Sequence, residues 1–168
     1  DVIDRQIRQL ARLVDDLLDV SRITRGKIEL RVQPLDLEPG VAQAVEASKP
    51  FIEARGHQLH VAVAPEPLKV NGDPARLAQV LTNLLINAAH AIPEGAADRN
   101  EIRVITRMDA QGRAVAEIHD TGTGIPEELR PRVLEPFFTT KPPGEGTGLG
   151  LSICHGIMTS LGGEISVE

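Results

Sequence analysis

Glycines stand at 144, 146, 148 and 150, alternate positions of the stretch GEGTGLGL. Glycine inside a helix or strand is destabilising by roughly 0.5–1 kcal/mol relative to alanine, so a regular element running through four of them is strongly disfavoured. The chain needs unusual backbone freedom at this point, and a helical pattern starts directly afterwards. Two phosphate-binding glycine motifs can be tested against it. A P-loop requires Lys and Ser/Thr after its last glycine, and neither Gly148 nor Gly150 is followed by that pair. A dinucleotide fingerprint requires G-x-G-x-x-G, whereas the spacing here is G-x-G-x-G. Two readings stay open. The glycines either form a nest of inward N–H groups beside a helix N-terminus, suited to a polyphosphate, or a flexible loop without a ligand.

Composition narrows the field. The net charge of −6 comes without a basic stripe, which argues against nucleic acid as the main partner. With three Phe and no Trp or Tyr, base stacking on aromatic platforms is also disfavoured. A single cysteine, Cys154, excludes an internal disulfide and a cysteine-built metal site, and reads as a small buried thiol in a core helix. No apolar run approaches the ~20 residues of a membrane span, and no signal peptide is visible. A cytoplasmic location is expected for this stretch, with a parent protein free to be anchored in a membrane.

Residues 1–25 carry Ile3, Ile7, Leu10, Val14 and Leu17 at alternating steps of four and three, the spacing of a coiled-coil seam. Leu13 and Leu18 widen the seam. No cap precedes the pattern, so the reading expects the chain to begin mid-helix. Such a stripe must pack on the rest of the chain or on another copy. Beyond Gly26, the pattern predicts strands over 27–33 and 57–64, a helix over 37–55, and a hairpin of 101–108 with 113–119. Asp73-Pro74 is a good helix start, and the helix it opens runs to about Ile92, where Pro93 stops it. PEGAADRN follows as a polar loop, a short helix follows Pro126, and residues 139–148 read as a mobile segment. A last helix spans about 148–161, and EISVE (164–168) starts a strand. Mixed helices and hairpin-paired strands predict an α+β fold, a two-layer sandwich with helices on one face of a mixed sheet.

Two constellations carry chemistry. On the helix from residue 73, Leu77, Leu81, Leu84, Leu85 and Ala88 form the expected core face. Arg76, Asn83, Asn87 and His90 share a stripe nearly opposite. That stripe is either a solvated face or a ligand face. Asparagine is a poor interior helix former, so two of them one turn apart favour a use. A carboxamide oxygen is a neutral ligand for Mg²⁺, which takes oxygen donors and shares its shell with water and phosphates. The second is Asp120, which shares a strand face with Ala116 and Ile118 and is expected half-buried on the apolar side. Its donors are either the N–H groups of the following glycine loop or an adenine amino group. Gly122 and Gly124 would let a flat ligand approach the backbone.

These residues resemble a known family. NLLINAAHA (83–91) is similar to the N box of sensor histidine kinases, DTGTGIP (120–126) to their G1 box, EPFFTTK (135–141) to the F box and GEGTGLGLSI (144–153) to the G2 box. The nearest flavour is that of nitrogen-regulatory-type kinases. The resemblance covers about 27–168 and implies an ATP-binding catalytic domain whose last strand is missing. LARLVDDLLDVSRI (10–23) resembles the second helix of the family's dimerisation hairpin, which would make residues 1–26 part of that hairpin.

The resemblance implies the roles that follow. Asn87 would ligate Mg²⁺, and Asn83 would lie near the phosphates, the two together serving catalysis. Asp120 would bind the adenine amino group, with Gly122, Gly124 and Ile125 shaping that pocket. Gly146, Thr147, Gly148, Leu149 and Gly150 would form the phosphate-side hinge of a lid over about 127–147. Phe137 and Phe138 would anchor the lid, and Thr140 and Lys141 would lie towards the phosphates. His90 stands where many relatives carry Lys, and would either reach phosphate or face solvent.

None of the five histidines matches the family's phospho-accepting one. His57 and His60 are expected at the surface, His119 pointing away from the face of Asp120, and His155 in a structural role. The resemblance therefore implies a donor that transfers the γ-phosphate of ATP to a histidine on its own or another chain's hairpin. The partners implied are a response-regulator receiver domain and a second copy in a homodimeric parent. Gyrase-type and chaperone ATPases of this fold use a glutamate, one turn before the Mg asparagine, as base for water. Here that position is Asn83, which favours transfer over hydrolysis. Two alternatives remain: an anti-sigma-type serine kinase, or a nucleotide-binding or dimerisation module without catalysis.

Overall fold

The structure, a computed structural model, describes residues 2–93, 99–141 and 146–168. The elements run in the order α1 (Val2–Thr24), β1 (Gln33–Asp36), α2 (Leu37–Ala54), β2 (Gln58–Ala62), β3 (Lys69–Gly72), α3 (Pro74–Ala91), β4 (Glu101–Met108), β5 (Ala114–Asp120), a 3-10 turn (Glu127–Arg132) and α4 (Gly150–Ser160). They group into two compact units, Leu30–Ile125 and Asp1–Glu29 with Pro126–Glu168.

In the unit Leu30–Ile125, β2, β4 and β5 form a mixed sheet. Strand β2 runs parallel to β4 from Gln58 opposite Glu101, and β4 runs antiparallel to β5 from Ile102 opposite Asp120. The hairpin turns at Asp109, whose carboxylate accepts the N–H groups of Gln111 and Arg113 at 2.9 and 2.7 Å, with Gly112 at φ 76°. Alternation along β4 explains the layering. Ile102 and Val104 are buried under the helices, while Arg103 and Arg107 point the other way, towards Glu101 and Glu117. The core joins Leu37, Val41, Ala44 and Ile52 with Leu81, Leu85, Ala88 and Ala89 of α3, and Ala116 and Ile118 pack against it. Each fully buried Leu, Ile or Val among them contributes roughly 1.5–3 kcal/mol. The result is the expected α+β sandwich, helices on one face of a mixed sheet.

Several expectations shift. Residues 27–32 form no strand. The strand is instead Gln33–Asp36, because its ladder partner is the four-residue β3, from Gln33 opposite Gly72 to Asp36 opposite Lys69. So short a strand carries no period for a sequence reading to find. On α3, Leu77 and Leu84 are only half-buried, whereas Ala78, Val80 and Ala89 are buried. His57 is not at the surface: it is 5% exposed, wedged beneath the end of α3. EISVE, expected to start a strand, is irregular, since alternation without a ladder partner does not make a strand.

In the other unit, α1 ends where Gly26 takes φ 62° and its N–H reaches the Ile23 carbonyl at 2.9 Å. Helix α4 packs on α1 at Gly156, where a Cβ would lie 2.3 Å from Ile23 Cγ2. Cys154 is fully buried in α4, as expected, but His155 is exposed, because its position falls between the buried Cys154 and Gly156 on the outward side of the helix. Ile7, Leu10, Val14, Leu17 and Leu18 of the α1 stripe remain exposed.

Candidate nucleotide site

Helix α3 starts on a strong cap. Asp73 accepts the N–H groups of Ala75 and Arg76 on one carboxylate oxygen, at 3.0 and 3.2 Å, and that of Arg31 on the other at 2.8 Å. Burial alone would raise this carboxyl, but the three N–H donors and the Arg76 charge outweigh it and hold Asp73 below the ordinary carboxylate value. The cap fixes where α3 begins, and burial of Ala78, Leu81, Leu85 and Ala88 sets the direction of its stripes. Asn83 and Asn87 are half-buried, in line with the buried Val80. The stripe is therefore not a freely solvated face. His90, on the same side, packs its ring against Phe51 of α2, with centroids 4.9 Å apart, and the Arg55 guanidinium lies over the same phenyl ring at 5.3 Å. Arg76 turns to Gln79, to which it donates at 2.8 Å.

The loop after β5 is tied to the end of this helix. Thr123 donates its N–H to the Ala91 carbonyl at 3.3 Å. Gly122 sits so close that a Cβ would fall 2.6 Å from that carbonyl oxygen. Gly124 takes φ 70°, a left-handed conformation suited to glycine. Asp120 is exposed rather than half-buried, at the last rung of β5, where the strand gives way to the glycine loop. Its Oδ1 accepts the Gly122 N–H at 2.8 Å, so the glycine loop supplies one donor. The cavity of about 260 Å³ lined by Arg103, Ile105, His119 and Asp120 opens on the sheet face away from the helices, apart from the asparagine stripe. His119 points away from the Asp120 face, as expected.

In the second unit, Phe137 and Gly148 clasp each other. Phe137 donates its N–H to the Gly148 carbonyl at 2.9 Å. A Cβ on Gly148 would lie 2.5 Å from the Phe137 carbonyl carbon, and both residues have positive φ, 67° and 66°. Phe137 leaves its ring exposed, while Phe138 lies half-buried under the Arg132 guanidinium at 4.5 Å. Thr139 accepts the Lys141 N–H and Thr147 that of Leu149. Thr140 is exposed and Ile125, in the other unit, half-buried. Gly146 is a tight cradle, with a Cβ 3.0 Å from Lys141 Cδ. Gly150 opens α4, whose N-cap residue Leu149 is buried and makes no side-chain cap. An uncapped helix N-terminus after glycines fits an anion. Gly144 and most of the polar loop after Pro93 lie outside the described residues.

The donor set also fits Mg²⁺. Asn87 offers a carboxamide oxygen from a half-buried position one turn from Asn83. Among the described residues no cluster of three or more His, Cys, Asp or Glu could hold a metal, so a hard cation at Asn87 would complete its shell with phosphate and water. Phe51, Arg55 and Asn100 around α3 stand in no motif that would mark them, and neither does His57, expected at the surface.

Residues 72–168, more than half of the chain, match the family described as "Histidine kinase-, DNA gyrase B-, and HSP90-like ATPase". The chain belongs to that ATPase family. It is 32% identical over 167 residues to the sensor histidine kinase ZraS of Klebsiella oxytoca, covering 99% of this chain and 34% of ZraS. Full-length ShkA, solved in complex with AMPPNP, aligns with TM-score 0.78 and 29% identity over 95% of this chain and 34% of its own. The histidine kinase ThkA, solved in complex with the response regulator protein TrrA, aligns with TM-score 0.71 and 26% identity over 96% and 43%. Within the ATPase family the chain is thus a histidine-kinase catalytic ATP-binding domain, and these relatives favour that reading over an anti-sigma-type serine kinase. It spans about a third of ZraS. No helix among the described residues is long and apolar enough to cross a membrane.

Proposed function

We propose that the chain binds Mg-ATP and donates the γ-phosphate to a histidine on a dimerisation hairpin. The observation that carries this reading is the Asn83–Asn87 pair, half-buried on one stripe of α3 beside the loop that holds Asp120. Asn87 would hold Mg²⁺ through its carboxamide oxygen, and the ion would neutralise charge on the β- and γ-phosphates. Asp120 would accept the adenine amino group on the oxygen that Gly122 leaves to solvent, with Gly122, Gly124 and Ile125 against the base. The N–H groups of Gly146, Gly148 and Gly150 would bind phosphate, with Thr140, Lys141, Thr147, Leu149 and Phe138 shaping that loop, and His90 of α3 would be a further phosphate contact.

In the transfer, a neutral imidazole nitrogen attacks the γ-phosphorus in line, the bond to the β–γ bridging oxygen breaks, and ADP leaves. Imidazole needs no strong base, and Asn83 cannot activate water as a glutamate would. On this reading residues 1–26 are the second hairpin helix and 27–168 the catalytic domain. The exposed α1 stripe would pair with the hairpin of the same or another chain in a homodimeric, cytoplasmic kinase portion. The ThkA–TrrA complex supports a receiver domain as the phosphate's next acceptor.

Incubation with γ-labelled Mg-ATP, with and without a separately supplied acceptor hairpin, tests the reading. Label on the hairpin with little free phosphate is the expected result. Rapid phosphate release without the hairpin would refute the role given to Asn83, and neither signal would leave a nucleotide-binding module.

A further inference from the structure

The last four carbonyls of a helix have no partner within it. In α3 the chain leaves through Ile92 in an extended conformation (φ −83°, ψ 123°), without the left-handed glycine that commonly closes a helix. The exit is held from outside. His57 Nε2 lies 3.2 Å from the Ala89 carbonyl. Thr123 N–H reaches Ala91, and Asn100 Nδ2 reaches the Pro93 carbonyl at 2.9 Å. Three carbonyls in five residues are thus tied to three different segments.

His57 is the buried side chain of this set. Its backbone is fixed by its own N–H to Ile52 O at 3.2 Å, after Gly56 at φ 72°, and by the next residue, Gln58, whose N–H reaches Asn100 O at 2.8 Å. A carbonyl can only accept, so Nε2 carries the proton and the ring is held in one tautomer. Nδ1 is buried with no hydrogen-bond partner among the described residues. An apolar residue at this depth would leave no such orphan, so the imidazole's use here is the bond to Ala89. Ala89 follows Asn87 by two residues, and Ala91 two further on carries the Thr121–Gly124 loop. Rotation of this one turn would move the asparagine stripe and the loop of Asp120 together.

We propose that His57 is a positioning residue for the nucleotide site, setting the register of the last turn of α3 and through it both Asn87 and the glycine loop. This rests on the proposed Mg-nucleotide reading. The test measures dissociation constants for ADP, with and without Mg²⁺, together with melting temperature, in the full chain and in His57→Phe, His57→Gln and His57→Asn. Gln places an amide N–H where Nε2 sits, Asn only where Nδ1 sits, and Phe fills the volume without donating. Residues that orient a metal's ligands typically change its affinity 10–100-fold, so His57→Phe and His57→Asn should reduce the Mg²⁺-dependent gain in affinity by about tenfold. His57→Gln should restore most of it. Equal gains in all four proteins would overturn the proposal, as would losses in Gln and Phe that simply follow melting temperature. If Phe does not fold, the Gln–Asn pair makes the same comparison. Absence of Mg²⁺-dependent binding in the unmodified chain would instead remove the nucleotide reading, and this inference with it.

Discussion

Replacing Asp73 separates the contributions of a helix cap, a tether and a charge. In Asp73→Ala, α3 loses the acceptor for the Ala75 and Arg76 N–H groups, and Arg31 loses its partner. Cap removal costs about 1 kcal/mol, with a range of roughly 0.5–2. The Arg31 bond to a carboxylate adds about 1.5–3 kcal/mol. The sum, about 2.5–4 kcal/mol, should lower the melting temperature of a chain this size by roughly 5–16 °C, followed by far-UV circular dichroism. In Asp73→Asn the cap survives, since Asn caps as well as Asp, but its NH₂ meets the Arg31 N–H, donor against donor. That variant should lie between the other two. Because the folded-state carboxyl is held below its ordinary value of 3.8, the advantage over Asn is fully present above that value. It fades as pH falls through the depressed folded-state pKa. A melting temperature for Asp73→Ala equal to the unmodified chain at neutral pH would be incompatible with this cap and tether, as would an advantage over Asn that persists in strong acid.

Asp120→Asn should weaken adenine nucleotides far more than it lowers melting temperature, since the exposed carboxylate makes one loop bond and a carboxamide oxygen can still accept it. A large melting shift without nucleotide would make the residue structural. Gly148→Ala should destabilise by about 1–3 kcal/mol, because it combines a left-handed φ with a Cβ driven into the Phe137 carbonyl. Unchanged melting would show that the clasp is absent in solution. Gly156→Ala should destabilise by about 1–3 kcal/mol despite alanine's better helix propensity, and Ile23→Ala should recover part of that in the double variant. Strict additivity would mean that α1 and α4 do not meet there.

Much of the fold was legible in the residues alone. Periodicity located α1, α2, α3, α4 and the β4–β5 hairpin, because each is long enough to display its repeat or bounded by Pro, Gly or a capping Asp. The glycine boxes and paired asparagines were legible because each breaks a local propensity rule and so calls for a use. What local pattern cannot encode is partnership. Strand β3 exists because β1 is beside it, and EISVE, with better alternation, is no strand because nothing among the described strands pairs with it. A histidine next to a strand looks like a surface residue until folding places the end of α3 over it. The residue types at the candidate site, and their order, could be read along the chain. Which carbonyls, rings and carboxylates meet followed from folding alone, because burial and hydrogen-bond pairing belong to segments far apart in the chain.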